Sequence, residues 1–396
     1  MTTVKTSPKN IAFLLDSSPG TWSSQEDRHL KLGQTLISRG CHPVLVFSRA
    51  VPPRIADPFI QAGIGVEVID YGKGPYHYYQ RLNEVVRTYS IGTAHIIFFD
   101  YFSPIPWLAR MVGVRNVIYE MQNSGTPRAK SWKLAAVRLR TKLMAKPMTR
   151  VVAISEFVKQ QLVAVGFNER KIAVRHLGVD TQRFVPNPGA RREWAAKFDI
   201  RPEELILSTV SYLRPFKNAH IILQACAELV NRGVPFRLIV GGGGELLEEL
   251  KHLSERLGIS ARTHWLGNWP DPVSLLQASD IFILSSVGEA FGLVLAEAMA
   301  CGTPVVGSRS GAIPEVVEHE RTGLLATPLD PISFADAIER LAKDPELLKA
   351  MGARGIERVR RRFSVDGLVE QTVRVYDSIW SKTPVARSLY NETCPK

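Results

Sequence analysis

No uninterrupted apolar run in the chain approaches the roughly 20 residues of a membrane-spanning helix, which argues against an integral membrane protein. The opening residues, MTTVKTSPKN, hold no apolar core of the kind a secretory leader needs, so no leader is expected. Cysteine is scarce. Cys41, Cys226, Cys301 and Cys394 are scattered without pairing or metal-ligand spacing. This argues against a disulfide scaffold and makes a reducing cytoplasm the simplest setting, where the sequon at Asn391 carries no meaning. There is no Asp-x-Asp pair and no other metal-ligand pattern, so neither a structural nor a catalytic metal is expected. Internal repeats and low-complexity segments are also missing.

What remains is an ordinary globular composition, 45% apolar and 22% charged, in 396 residues, too many for one typical core. Apolar runs at residues 11–16, 43–47, 65–70, 95–100, 115–121 and 150–155 read as parallel strands. Helical patterns such as residues 25–39 separate them. The polar, proline-bearing stretch 184–193 reads as a linker. A second series starts at residues 205–213 and continues through 236–241 to 280–285. The expectation is an α/β protein of two doubly wound, Rossmann-like domains facing a cleft, residues 1–185 and 186–364, with a frayed tail from residue 382.

The most informative segment is residues 287–308, VGEAFGLVLAEAMACGTPVVGS, in which Glu289 and Glu297 stand eight apart. Gly288 and Gly292 bracket a tight loop after the strand at 280–285. Residues 293–301 read as a short helix stopped by Gly302, with Pro304 beyond it and another strand at 304–306. The free N–H groups and dipole at such a helix start suit a phosphate. Carboxylates beside a phosphate seat need other partners, and sugar hydroxyls on either side of the anion would supply them. A ligand anionic in its middle and hydroxylated at both ends is a nucleotide sugar. Taken alone, the pair reads more readily as two solvated glutamates around an ordinary helix cap.

The neighbouring residues reverse that balance. Residues 311–317 (GAIPEVV), 322–328 (TGLLATP), 265–267 (WLG), 240–250 (VGGGGELLEEL), 152–167 (VAISEFVKQQLVAVGF) and 177–184 (LGVDTQRF) follow a fixed order around the signature. Together they resemble the retaining, nucleotide-sugar-dependent glycosyltransferases of the GT-B fold that carry a Glu-x7-Glu signature (family 4-like, group 1). The resemblance implies a metal-independent transfer without a resident cofactor, the nucleotide sugar being a co-substrate. It also implies that residues 365–381 form a helix returning to the first domain, the acceptor-binding one, while the second binds the donor. By resemblance, Glu289 orients sugar hydroxyls and Glu297 holds the ribose. Backbone amides around Phe291, Gly292, Leu293 and Val294 take the diphosphate with Arg214 and Lys217. Main-chain groups from Trp265 through Gly267 to Trp269 line the base pocket. Residues 311–315, another helix start with Pro314 in its first turn, read as a plain structural neighbour with room to touch the donor.

Several positions depart from the family pattern. Lys217 matches, but Tyr212 stands where an arginine is usual; Arg214, two residues later, is an inferred substitute or else a surface residue beside Pro215. Gly20 stands alone where relatives often have a glycine pair, and it can equally close a turn. Gln122 replaces a histidine that helps bind the sugar; it keeps the hydrogen-bonding capacity but does not titrate near neutral pH. His29 and His95 read as structural.

Between Met121 and Ser155 lie eight basic residues (Arg128, Lys130, Lys133, Arg138, Arg140, Lys142, Lys146, Arg150) and no acid. Interleaved with Trp132, Leu134, Val137, Leu139, Leu143 and Met144, they form a basic amphipathic stretch over residues 128–150. Such a helix can lie on anionic lipid at the inner face of a membrane and bring the first domain to a lipid-linked acceptor. It reads as well as a helix packed on the sheet with a solvated basic face. No recognition module accompanies the charge, so nucleic acid is not an expected partner. The leading expectation is a transferase building a polysaccharide or glycolipid on a glycan or lipid-linked acceptor. Two other classes stay open: a nucleotide-sugar epimerase, which would need more titratable groups in these loops, and a non-catalytic sugar-nucleotide sensor.

Overall fold

The computed structural model describes residues 7–20, 22–100, 102–123, 131–269 and 271–381. Arg128, Lys130, the side chains of Trp132 and Lys133, and the expected tail with its Asn391 sequon lie outside the described residues. The chain divides into two compact units, Met1–His176 with Val365–Lys396, and Leu177–Ser364.

The first unit holds seven parallel strands, β1 (Ser7–Leu15), β2 (Pro43–Phe47), β3 (Gly65–Val68), β4 (Ile91–Ile97), β5 (Asn116–Met121), β6 (Arg150–Ala153) and β7 (Ile172–Val174). Their order is β3-β2-β1-β4-β5-β6-β7, so the winding reverses between β1 and β4. β2 and β4 are buried along their whole length, as apolar runs flanked by helices on both faces must be. Its helices are α1 (Ser24–Ser38), α2 (Pro53–Gln61), α3 (Pro75–Thr88), α4 (Ile105–Met111), α5 (Ser131–Met144) and α6 (Glu156–Ala164). α1 opens with a capping box between Ser23 and Glu26, and α6 is capped by the Ser155 hydroxyl.

The second unit has six parallel strands, β8 (Leu205–Val210), β9 (Phe236–Gly241), β10 (Thr263–Gly267), β11 (Ile281–Leu284), β12 (Val305–Ser308) and β13 (Gly323–Ala326). They run β10-β9-β8-β11-β12-β13, the doubly wound order, with the switch between β8 and β11. The helices are α7 (Ala190–Phe198), α8 (Ala219–Asn231), α9 (Leu247–Arg256), α10 (Val273–Ala278), α11 (Leu293–Ala300), α12 (Ile313–Val316), α13 (Pro331–Lys343) and α14 (Pro345–Arg362). A main core of β-strand side chains with α8 and α13 is joined by a smaller aromatic cluster around Trp194 under α7.

The last helix, α15 (Val365–Trp380), belongs to the first unit. Leu368, Val369, Val373 and Tyr376 enter that unit's core beside Leu32 and Leu36 of α1. Lys31–Asp366 at 2.6 Å and a bidentate Arg39–Asp377 pair flank this apolar seam.

α5 differs in detail from the expected amphipathic helix. Thr141 is buried, whereas Leu139 and Leu143 are 62% and 55% exposed, side by side one turn apart among Arg138, Arg140 and Lys142. Apolar and basic groups thus share its outer face. Among the described residues no helix is long and apolar enough to cross a membrane.

Candidate active site

In the second unit the loops after β8 and β11 leave adjacent strand ends at the switch point, where open α/β sheets bind ligands. The loop after β8 carries Arg214 and Lys217; the loop after β11 carries Glu289 and leads into α11. Lys217 Nζ lies 2.7 Å from Glu289 Oε2, with both side chains largely shielded. Hydrogen bonds hold the two loops together. Val287 N donates to the Phe216 carbonyl at 3.0 Å, and Ser285 Oγ donates to the carbonyls of Lys217 and Asn218, each at 2.9 Å.

A third loop, after β12, closes on the same place. Ala312 N donates to the Glu289 carbonyl at 2.8 Å, and Gly288 N donates to Ser310 Oγ at 3.1 Å. Gly311 has φ +61°, and a Cβ there would collide with the Glu289 carbonyl oxygen. Only glycine lets the two backbones meet so closely.

Gly292 takes the left-handed conformation, φ +87°, and no side chain caps the start of α11. Its first N–H groups, near Leu293 and Val294, have no side-chain cap, and helix starts of this kind suit an anion. Phe291 is buried edge-on against Phe363, ring centroids 5.6 Å apart, so its ring is taken up by packing. Glu297, in the second turn of α11, is 7% exposed.

Arg214 packs on a neighbour in its own loop. Its guanidinium lies 4.7 Å from the centre of the Tyr212 ring, which is itself exposed. Trp265 and Gly267 lie on β10, the edge strand. The Trp265 indole packs against the main core, and Gly267 receives a 2.8 Å hydrogen bond from Gly242 N at its carbonyl. Gly242 in turn fits so tightly against the Ser211 carbonyl that a Cβ would collide with it. The glycine run at 241–244 thus packs the loops after β8, β9 and β10 together.

Gln122 and Gly20 belong to the first unit. Gln122 Nε2 donates to Glu120 Oε1 at 2.6 Å. Gly20 follows β1, and its carbonyl receives Arg54 Nη2 at 2.6 Å. A Cβ at Gly20 would meet nothing within 4 Å, so packing does not demand glycine there. His29 is buried, which lowers its pKa to about 4 and keeps the ring neutral near pH 7. His95 pairs with buried Glu120 at 3.1 Å.

The linking roles of Ser285, Ser310 and the Glu120 cluster were not legible in the motifs. A polar Ser285 ending the apolar run 281–284 was the one local sign. Among the described residues no group of three or more His, Cys, Asp or Glu side chains is arranged to hold a metal ion.

A doubly wound sheet with a lysine–glutamate pair at its switch point, beside an uncapped helix start, has the architecture of the α/β units that bind ligands at their strand ends. The comparisons give the family. The profile of Glycosyl transferases group 1 matches residues 190–358, and that of Glycosyltransferase Family 4 matches residues 28–183. The chain belongs to these glycosyltransferases, and its two α/β units carry the GT-B fold. The N-acetyl-alpha-D-glucosaminyl L-malate synthase of Bacillus anthracis is 39% identical over 180 residues, 46% of this chain and 47% of the relative. A D-inositol 3-phosphate glycosyltransferase of Corynebacterium jeikeium is 34% identical over 230 residues, 54% of each chain. The chain thus spans about half the length of these two curated relatives. Anabaena Alr3699/HepE, crystallised with UDP and glucose, shares the fold with a TM-score of 0.79 at 21% identity, over 93% of this chain and 99% of that one.

Proposed function

We propose that this glycosyltransferase is a retaining, metal-independent enzyme that moves a sugar from a nucleoside diphosphate to a hydroxyl acceptor. The observation that carries the reading is the Lys217–Glu289 pair at the switch point, 2.7 Å apart beside the uncapped start of α11. A diphosphate on that helix start brings its negative charge to Lys217, and the displaced Glu289 carboxylate becomes an acceptor for sugar hydroxyls. Cations and amides aimed at the departing diphosphate stabilise the transition state more than the ground state. Retention follows if the acceptor attacks the face the phosphate leaves, with a phosphate oxygen taking its proton. On this reading Glu297 holds the ribose, and main-chain groups from Trp265 to Trp269 read the base.

UDP is the nucleotide we favour, because the neighbour of known structure was crystallised with it. For the acceptor, the exposed Leu139 and Leu143 among Arg138, Arg140 and Lys142 support docking on an anionic membrane and a lipid-linked glycan. The relatives' names support a second acceptor class, a small anionic hydroxyl compound such as L-malate or inositol 3-phosphate. A thermal-shift screen of the purified protein against UDP-, GDP-, ADP- and TDP-sugars tests the donor site. One diphosphonucleotide raises the melting temperature, and Glu297→Ala and Lys217→Ala each abolish the shift. A full shift in both variants defeats the site. Slow hydrolysis of the bound nucleotide sugar separates an enzyme from a sensor.

A further inference from the structure

Ser285 stands just past the end of β11, 1% exposed, and the proposed chemistry gives it no part. β8 and β11 pair at Leu207–Ile281 and Ser208–Phe282. Past those pairs the loop after β8 first follows its other neighbour, β9. Ser211 N and Leu213 N donate to the carbonyls of Gly241 and Gly243 at 3.0 and 2.8 Å. The chain then makes a single 3-10 turn, Pro215–Lys217, and enters α8 through Asn218, which is left-handed at φ +50° and gives the helix no side-chain cap. This second half of the loop is what Ser285 holds.

A serine hydroxyl has one proton to donate. Here it is shared between the carbonyls of Lys217 and Asn218, each at 2.9 Å. Val287 N adds a bond to the carbonyl of Phe216 at 3.0 Å, so the main chain is gripped at Lys217 and on both sides of it. Glu289 is held from elsewhere, by Ala312 N on its carbonyl and by Ser310 Oγ on the amide of its neighbour Gly288. The 2.7 Å between Lys217 Nζ and Glu289 Oε2 is thus set by two separate anchors. A lysine ammonium rides on a flexible four-carbon stem, so its reach depends on where its own backbone is fixed.

We infer that Ser285 is a positioning residue: by fixing the main chain of Lys217 it aims the ammonium at the phosphate that bears the sugar. The inference rests on the reading that Lys217 takes the diphosphate and that Glu289 meets the sugar hydroxyls. An ammonium beside Glu289 faces the sugar end of the diphosphate, away from the phosphate joined to the ribose.

The test uses the full chain and whichever of UDP, GDP, ADP and TDP it binds, compared with the matching monophosphate, which lacks the phosphate facing Lys217. Calorimetry gives both affinities. Ser285→Ala removes one oxygen and should weaken the diphosphate about fivefold, the strength of one ordinary hydrogen bond, while the monophosphate binds as before. A serine that only supports the fold would weaken both nucleotides alike. In Lys217→Ala the preference for the diphosphate has already fallen, and adding Ser285→Ala lowers it no further, because the two residues act through one ammonium. Equal losses for the two nucleotides, an unchanged ratio in Ser285→Ala, or additive losses in the double variant overturn the role of Ser285. An unchanged ratio in Lys217→Ala, or no binding of any of the four diphosphates, overturns the reading beneath it together with the inference.

Discussion

The ammonium of Lys217 meets the carboxylate of Glu289 at 2.7 Å, joining the loops that follow β8 and β11. The two residues are 72 positions apart in the chain, yet the doubly wound order makes their strands neighbours. Removing the ammonium leaves a shielded carboxylate beside the proposed diphosphate seat. Lys217→Ala should lower turnover by roughly a hundred- to a thousandfold, the range for losing one group aimed at developing charge. The thermal shift with UDP-glucose should vanish with it. Steady-state kinetics at saturating donor check the first expectation, and unchanged turnover would make the pair purely structural.

Gly311 supports that pair from behind. A Cβ there collides with the Glu289 carbonyl, and its φ of +61° already disfavours any side chain. Gly311→Ala should destabilise the second unit by at least about 1 kcal/mol, the penalty of a left-handed backbone alone. It should also raise the KM for the nucleotide sugar by displacing Glu289. Urea denaturation and donor titration give the two numbers, and an unchanged KM would separate the loop from donor binding.

His29 sets a pH dependence. Burial, helped by the nearby charge of Arg28, lowers its pKa from 6.5 to about 4 in the folded protein. The unfolded chain therefore binds a proton more readily between these values, and stability falls as pH drops from about 6.5 toward 4. The full linkage is about 3 kcal/mol. His29→Gln should flatten that part of the stability profile, measured by denaturant titration at fixed temperature. A profile equally steep in the variant would place the proton uptake elsewhere.

The outer face of α5 makes a prediction about lipid. Vesicles with anionic lipid should sediment the protein, and neutral vesicles should not. Lys142→Glu replaces one cation by an anion on a face with two exposed leucines. Each cation near an anionic surface contributes about 1 kcal/mol, so losing even one weakens partitioning about fivefold. Leu139→Asn with Leu143→Asn should weaken it further. Binding that ignores lipid charge would leave the face as a solvated surface.

Much of the fold was legible because buried parallel strands are written as short apolar runs, which need no distant information. β2 and β9 fall at the residues where their runs predicted them. The three-residue β7 has no fully buried position and left no such mark. β10, an edge strand with only Thr263 fully buried, lacks the continuous apolar run that marks a buried strand in the sequence. The α5 pattern left its inward side open for a related reason: alternating apolar and basic residues do not say which side faces the sheet, and Thr141 takes the buried place.

At the candidate site, the glutamates, the glycine turns and Lys217 were all visible as local patterns, because loop conformation and helix starts depend on neighbours in the chain. The direction of Arg214, drawn over Tyr212, was not visible, nor was the hold of Ser285 on the β8 loop. Hydrogen bonds between loops from separate strands exist only once the sheet has brought those strand ends together. The amino-acid sequence alone therefore determined which residues are candidates for the chemistry and which short segments become strands and helices. The tertiary structure decided which of those residues touch, because sheet order, not chain distance, sets the spacing of charges and the orientation of each donor and acceptor.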